Sequence, residues 1–192
     1  MRIAVIGGGI NGLCSAWCLA DSGHQVTVFE RGRLMGATSS ASSKLLHGGL
    51  RYLETGQFLL VREALRERDA WIKRAPQLAR PLPIVLPIYH DSRRPRWMLG
   101  LGMKLYDMLA GRSALPKSEV LSKAQVSSFI PTLNTDSLVG GFRYYDGQMD
   151  DRGLGLWVAE QCRRAGVEIN EDSPVLAVSP EGSLNLAQGQ PT

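Results

Sequence analysis

Cysteine and histidine are both scarce, with three of each in 192 residues. Cys14 and Cys18 stand four apart, on one face of a helix, and Cys162 is remote from both. No metal-ligand spacing joins them, so no metal site is expected. An odd count without a framework excludes a disulfide scaffold and fits a reducing compartment. Long hydrophobic runs are lacking too: no apolar segment reaches the length that spans a bilayer. The first strand begins directly after Met1, with no signal or transit segment ahead of it, and a cytoplasmic location is expected. There is no internal repeat, no low-complexity tract and no nucleic-acid-binding motif, so nucleic acid is not an expected partner.

Charge is present but uneven. The formal net charge is +4. Residues 62–112 carry eleven Lys/Arg against five Asp/Glu, a local +6, so the remainder is slightly acidic. The densest part is Arg93-Arg94-Pro95-Arg96-Trp97. A basic segment bearing Trp suits an anionic membrane surface, an anionic substrate or a plain solvated face, and composition leaves all three open.

The clearest positive signal is Ile3-Ala4-Val5-Ile6-Gly7-Gly8-Gly9-Ile10-Asn11-Gly12, answered by Glu30. It reads as strand, glycine turn, helix, second strand and acid, the dinucleotide-binding fingerprint in its full context. Gly7 allows the tight turn, Gly9 lets the backbone approach a pyrophosphate, and Gly12 lets the helix pack on the strand. The helix then turns its first amides and its positive dipole end toward the phosphates. Glu30, 18 residues after Gly12, ends Val26-Thr27-Val28-Phe29. A carboxylate there accepts from ribose hydroxyls and repels a 2′-phosphate, which disfavours NADP and leaves NAD or FAD.

The opening is therefore βαβ: strand 2–6, helix 10–22 stopped by Gly23, strand 25–30. Residues 36–54 are rich in glycine and hydroxyls and suit ligand contact. Residues 57–74 read as a helix with Phe58, Val61, Ala64, Leu65 and Ile72 on one face. Residues 82–89 read as a strand interrupted by Pro83 and Pro87, hence an edge or irregular one. The segment 96–110 reads as a helix with apolar residues all round, hence buried or embedded in another apolar phase. Ser122 to Gln125 has the form of a capping box. Residues 141–147 read as strand and turn, and Asp150 and Asp151 open a helix that ends near Arg164, where Gly166 stops it. Short strands are expected at 167–169, 175–178 and 184–186.

The run Ala37-Thr38-Ser39-Ser40-Ala41-Ser42-Ser43-Lys44-Leu45-Leu46-His47-Gly48-Gly49-Leu50-Arg51-Tyr52-Leu53-Glu54 closely resembles the FAD-dependent glycerol-3-phosphate dehydrogenases. The segments 97–107, 111–116 and 141–151 are also similar to that family, so the resemblance extends from Met1 to about Val178. One departure stands out: the family usually continues Asp-Asp-Ala-Arg-Leu, whereas Asp150-Asp151 is followed here by Arg152-Gly153-Leu154.

The resemblance implies an α/β fold of FAD-binding Rossmann-like type, with the βαβ opening shared by glutathione reductases and amino-acid oxidases and the start of a substrate domain. It groups residues 1–80 and 140–192 as part of the FAD-binding domain and 81–139 as an inserted, substrate- or membrane-facing segment. Gly7, Gly9, Ile10, Asn11 and Gly12 would hold the FAD pyrophosphate, and Glu30 and Arg31 the adenosine ribose. Thr38, Ser39, Ser42, Lys44, His47, Gly48 and Gly49 would line the flavin end, Val175 would offer its backbone to adenine, and Arg51 and Tyr52 would face the substrate. Plainer roles stand beside these. Ser42 and Ser43 could simply form a turn, His47 could be structural, Arg51 could pair with Glu54, and Asp150 and Asp151 could cap a helix.

The implied reaction is oxidation of sn-glycerol 3-phosphate, or a related anionic alcohol, by hydride transfer to FAD, with quinone or oxygen as final acceptor. Attachment to the inner face of the cell membrane is a further expectation. The family's catalytic base and substrate-clamping arginines fall downstream of these positions, so the chain is read as an N-terminal portion that is inactive alone. Two alternatives remain: another FAD-dependent oxidase of the amino-acid and hydroxy-acid type, and a non-catalytic dinucleotide-binding module.

Overall fold

The structure, a computed structural model, describes residues 1–187. It divides into two units, named only for their place along the sequence: an outer one, residues 1–44 with 150–187, and an inner one, Leu45–Met149.

In the outer unit, β1 (Arg2–Ile6) and β2 (Gln25–Phe29) lie parallel, with β7 (Glu168–Asn170) parallel on the far side of β2. Parallel neighbours need a crossover. Helix α1 (Ile10–Asp21) supplies it between β1 and β2, and α5 (Asp151–Arg164) leads into β7. The two helices pack together, and Leu13 and Ala16 on α1 and Val158, Ala159 and Cys162 on α5 are all buried. The Cys162 thiol donates to the Leu13 carbonyl at 3.2 Å. Burial pushes this thiol's pKa up, so it remains protonated. A hairpin of β8 (Val175–Val178) and β9 (Leu184–Leu186) completes the unit.

The inner unit is built on one long antiparallel strand. That strand, β6 (Leu138–Met149), pairs along its length with β4 (Ala79–Tyr89). Its other edge is shared by β3 (Leu45–Leu46) at Gly147 and Gln148 and by β5 (Glu119–Ser122) from Gly140 to Arg143. Helices α2 (Phe58–Arg74) and α3 (Arg96–Ala110) pack on each other, and α4 (Lys123–Phe129) carries the expected capping box on Ser122 and Gln125. Pro81, Pro83 and Pro87 share one parity in β4, so their missing N–H groups all fall on the side turned from β6. None of the helices among the described residues is long and apolar enough to cross a membrane.

The elements differ from the sequence expectation in several places. β6 runs straight through Gly147, where a turn was expected. The glycine serves close packing, since a β-carbon there would lie 2.9 Å from Cβ of Leu46. The short strands β3 and β5 are set by pairing with β6 and leave little pattern of their own. On α2, Phe58 is exposed and Arg68 is buried. On α3 only Met103 and Tyr106 are buried, while Trp97, Met98, Leu101 and Met108 stay exposed, so this helix has one covered face rather than none or all. Residues 45–80 and 140–149, grouped with the FAD-binding portion in the sequence reading, fall in the inner unit because β3 and α2 pack against β6.

Leu65 is 1% exposed, in the core of α2 with Val61 and Tyr106. Leu65→Ala is expected to lower stability by about 2–5 kcal/mol, read as a fall in the urea midpoint.

Candidate functional site

Two groups of candidate residues form, one in each unit. In the outer unit the chain leaves β1 through Gly7, whose φ of 112° only glycine adopts at low cost. The Gly7 amide donates to the Phe29 carbonyl at 2.8 Å, tying the turn to the end of β2. A β-carbon on Gly12 would meet the Gly7 carbonyl oxygen at 2.0 Å, so α1 sits as close to the turn as backbone allows. Gly9 caps α1, and Leu13 is the first residue whose amide returns to it, at 3.0 Å. The amides of Ile10, Asn11 and Gly12 thus have no acceptor within the helix and point out of its N-terminus. Ser39 Oγ accepts from the Ile10 amide at 3.1 Å.

Glu30 is held in place before any ligand arrives. Its Oε2 accepts from the Gly8 amide at 2.6 Å and its Oε1 from the Gly32 amide at 3.0 Å. The Glu30 amide donates to Asn170 at 2.9 Å, and the Glu30 carbonyl accepts from Ser173 at 2.8 Å, which brings the strand-entry segment before Val175 alongside. Gly9, Glu30, Arg31, Thr38 and Ser39 line one cleft. These expected nucleotide residues are therefore gathered at the carboxyl ends of β1 and β2, where ligands of open α/β sheets bind. A β-carbon on Gly9 would stand 2.8 Å from Ser39 Oγ and close this cleft. The shape and donor set fit a dinucleotide: outward amides for a pyrophosphate, and a fixed carboxylate with lone pairs remaining for ribose hydroxyls.

Ser42 and Lys44 are organised by a residue that the sequence reading treated as a helix cap. Asp150 does cap α5, accepting from Gly153 at 2.9 Å. Asp151 does something else. Its buried carboxylate accepts from Lys44 Nζ at 2.7 Å on one oxygen, and from the Ser42 amide at 3.2 Å and hydroxyl at 3.0 Å on the other. Lys44 itself has a φ of 58°, unusual for a side-chain-bearing residue, and its amide donates to Ser42 Oγ at 2.9 Å. The bond from Lys44 and those from Ser42 hold the Asp151 pKa at about 2, below its ordinary 3.8, and Asp151 in turn raises that of Lys44.

In the inner unit His47, Gly49, Arg51, Tyr52, Tyr144 and Asp146 line a second cleft. Residues 50–55 form a 3-10 helix that presents Arg51 and Tyr52, both exposed. Glu54 pairs with Arg94, not with Arg51, and among the described residues Arg51 has no ion pair. Gly48 is buried beneath the cleft, where its amide donates to Asp146 at 2.9 Å. The Tyr144 pKa is pushed up to about 12, by burial first and then by the Asp146 charge, so its hydroxyl remains a donor. Asp146, Tyr144 and Arg68 are additions to the sequence-derived site.

The FAD dependent oxidoreductase family matches residues 2–190. The chain belongs to that family. It is 42% identical over 171 residues to the mitochondrial glycerol-3-phosphate dehydrogenase of Macaca fascicularis, covering 85% of this chain and 23% of that protein. With the glycerol-3-phosphate dehydrogenase of Synechocystis it shares 41% over 165 residues, again 85% of this chain and 30% of the relative. The chain thus spans about a quarter of the length of these relatives. Among solved structures, the Bacillus halodurans glycerol-3-phosphate dehydrogenase complexed with FAD superposes with a TM-score of 0.67 at 23% identity, over 93% of this chain and 28% of that one. The FAD-bound L-alpha-glycerophosphate oxidase of Mycoplasma pneumoniae gives 0.69 at 18% identity, over 96% and 48%. The fold is the FAD-binding Rossmann-type α/β fold, and the cofactor of this family is FAD.

The Asp151 clamp makes a pH prediction. Its pKa is about 2 in the fold and near 3.8 when unfolded, so it contributes stability that is complete above about pH 4. That contribution is lost as pH falls from about 4 to about 2. Asp151→Asn is expected to flatten this acid limb, measured by urea unfolding at a series of pH values.

Proposed function

We propose that the chain provides the FAD cradle and part of the substrate site for oxidation of sn-glycerol 3-phosphate to dihydroxyacetone phosphate. The observation that carries this reading is Arg51, exposed and without an ion pair among the described residues, in one cleft with His47 and Tyr52. A planar guanidinium offers a fork of donors matched to phosphate oxygens. The names of the relatives, which share about two residues in five with this chain, favour that substrate over other anionic alcohols.

FAD, when bound, supplies the two-electron acceptor for the hydride leaving C2 of the substrate. The chain's own residues bind and orient. The first-turn amides of α1 receive the pyrophosphate, Ser39 Oγ sits beside them to share that contact, and Glu30 accepts from the ribose with Arg31 alongside. Thr38, Ser42, Lys44, His47, Gly48 and Gly49 would line the flavin end, with Val175 toward adenine. Arg51 and Tyr52 fix the substrate phosphate.

The electron acceptor is quinone or oxygen. Trp97, Leu101, Lys104 and Met108 recur at helical spacing on the uncovered face of α3, next to Arg93, Arg94 and Arg96. Aromatic and aliphatic side chains beside a basic cluster suit the surface of an anionic bilayer. That contact would make the protein peripheral on the cytoplasmic side, near a membrane quinone.

The reading is tested by an anaerobic visible spectrum of the FAD-supplemented protein, before and after glycerol 3-phosphate. A bound-flavin band is expected, and it should disappear on adding substrate once the remaining substrate-binding residues are supplied by a longer chain. Bleaching by an amino acid or a hydroxy acid instead would move the assignment to another oxidase, and a band that no reductant bleaches in the longer chain would indicate a binding module. Arg51→Ala is expected to weaken glycerol 3-phosphate binding by tenfold or more while leaving the flavin band in place. Membrane contact is checked separately by co-sedimentation with phosphatidylglycerol vesicles, where Trp97→Ala should reduce the bound fraction.

A further inference from the structure

Asp146 is 2% exposed, in the middle of the inner unit. Buried carboxylates are rare and are retained only when paired and hydrogen-bonded. One oxygen of Asp146 accepts three donors: the Gly48 amide at 2.9 Å, the Tyr106 hydroxyl at 2.8 Å and Arg68 Nη1 at 3.3 Å. The other oxygen lies 3.9 Å from His47 Nδ1. Arg68, itself 3% exposed, also donates to the Tyr145 carbonyl at 2.8 Å and pairs with Asp69 at 2.8 Å, which fixes its fork. Burial and the Asp146 charge push the Tyr106 pKa far up, so its hydroxyl stays a donor.

The backbone around Gly48 is built for this contact. A β-carbon on Gly48 would stand 1.9 Å from the Tyr106 hydroxyl and 2.5 Å from Leu65 Cδ2. The turn is therefore pressed onto the Asp146 cluster with no room between. Gly49 follows with a φ of 78° and starts the 3-10 helix that carries Arg51 and Tyr52. A bond to a charged acceptor is roughly twice as strong as one between neutral groups, and this one sits at the root of every cleft residue from His47 to Tyr52.

We propose that Asp146 is a positioning residue for the cleft: by accepting from the Gly48 amide and facing His47, it fixes the His47–Gly49 turn and hence the placement of Arg51 and Tyr52. Arg68 and Tyr106 hold the carboxylate in that orientation. The inference rests on reading the Arg51 cleft as the substrate side.

The test is site-resolved amide hydrogen exchange on the FAD-supplemented chain, wild type and Asp146→Asn, with glycerol 3-phosphate titrations of both. In the wild type the Gly48 amide should exchange as slowly as those of Val61 and Leu65 on α2. Unprotected exchange at Gly48 would overturn the proposal without any variant. In Asp146→Asn the Gly48 amide should exchange about tenfold faster while Val61 and Leu65 keep their protection. Unchanged protection at Gly48, or equal acceleration across α2, would overturn it, the latter by showing a residue that merely stabilises the unit. Tyr106→Phe keeps the acceptor and should leave Gly48 protected; loss of protection there would assign the turn to Tyr106 instead. Where the wild type binds glycerol 3-phosphate, Asp146→Asn should weaken that binding about tenfold with the Arg51 side chain intact. A longer chain, carrying the remaining substrate-binding residues, that binds none would sink the substrate reading while the exchange result still decided the role of Asp146.

Discussion

The approach of α1 to the turn that precedes it governs the nucleotide cradle. A β-carbon at Gly12 would fall 2.0 Å from the Gly7 carbonyl oxygen, so the helix axis can come this near only through bare backbone. That nearness aims the first-turn amides of Ile10, Asn11 and Gly12 at the tip of the sheet, the first of them already shared with Ser39 Oγ, and Glu30 reaches across to the Gly8 amide. The carboxylate and the amides are then rigid with respect to each other. Binding a dinucleotide there need not order them afresh, which is the sense in which a preorganised site gains affinity.

Two buried carboxylates do comparable work farther along the chain. Asp151 gathers Ser42 and Lys44, and Asp146 gathers Gly48 and faces His47. Both act on a segment, residues 42–52, with little regular structure of its own. A loop of that kind keeps a single conformation only when its polar backbone finds partners, and acids from β6 and the start of α5 supply them. The placement of Ser42 and Lys44 is thus decided by Asp151, and that of the Gly48 turn by Asp146.

Much of this was legible in the residues and some was not. The βαβ opening, the acid at the end of β2 and the helices α1, α2 and α5 follow from local pattern, because strand alternation, helical periodicity and caps are short-range signals. Arg68 left a trace that could have been read: it falls on the stripe of Val61, Leu65 and Ile72, where a cation must be paired. Asp146 left less, since a strand residue's partners are set by pairing and by packing from α2 and α3. Asp151 was misleading because it stands where a cap belongs, and its neighbour Asp150 does cap. The pairing of Glu54 with Arg94 joins residues forty apart and had no sequence signal.

The three prolines of β4 bear on how the inner unit behaves in a crowded solution. An uncovered strand normally presents a row of donors and acceptors that another chain can adopt, and that is a route to aggregates. Here Pro81, Pro83 and Pro87 have removed three donors from the outward side of an eleven-residue strand, leaving the Val85 amide between them, while the side facing β6 keeps its ladder. A second β-strand approaching that edge would find the row of amides broken at three positions, short of the regular alternation that a stable ladder requires. Among the described residues β4 is an edge of this sheet, and the three prolines make that extended, largely apolar edge a poor template for copies of the same chain to add on.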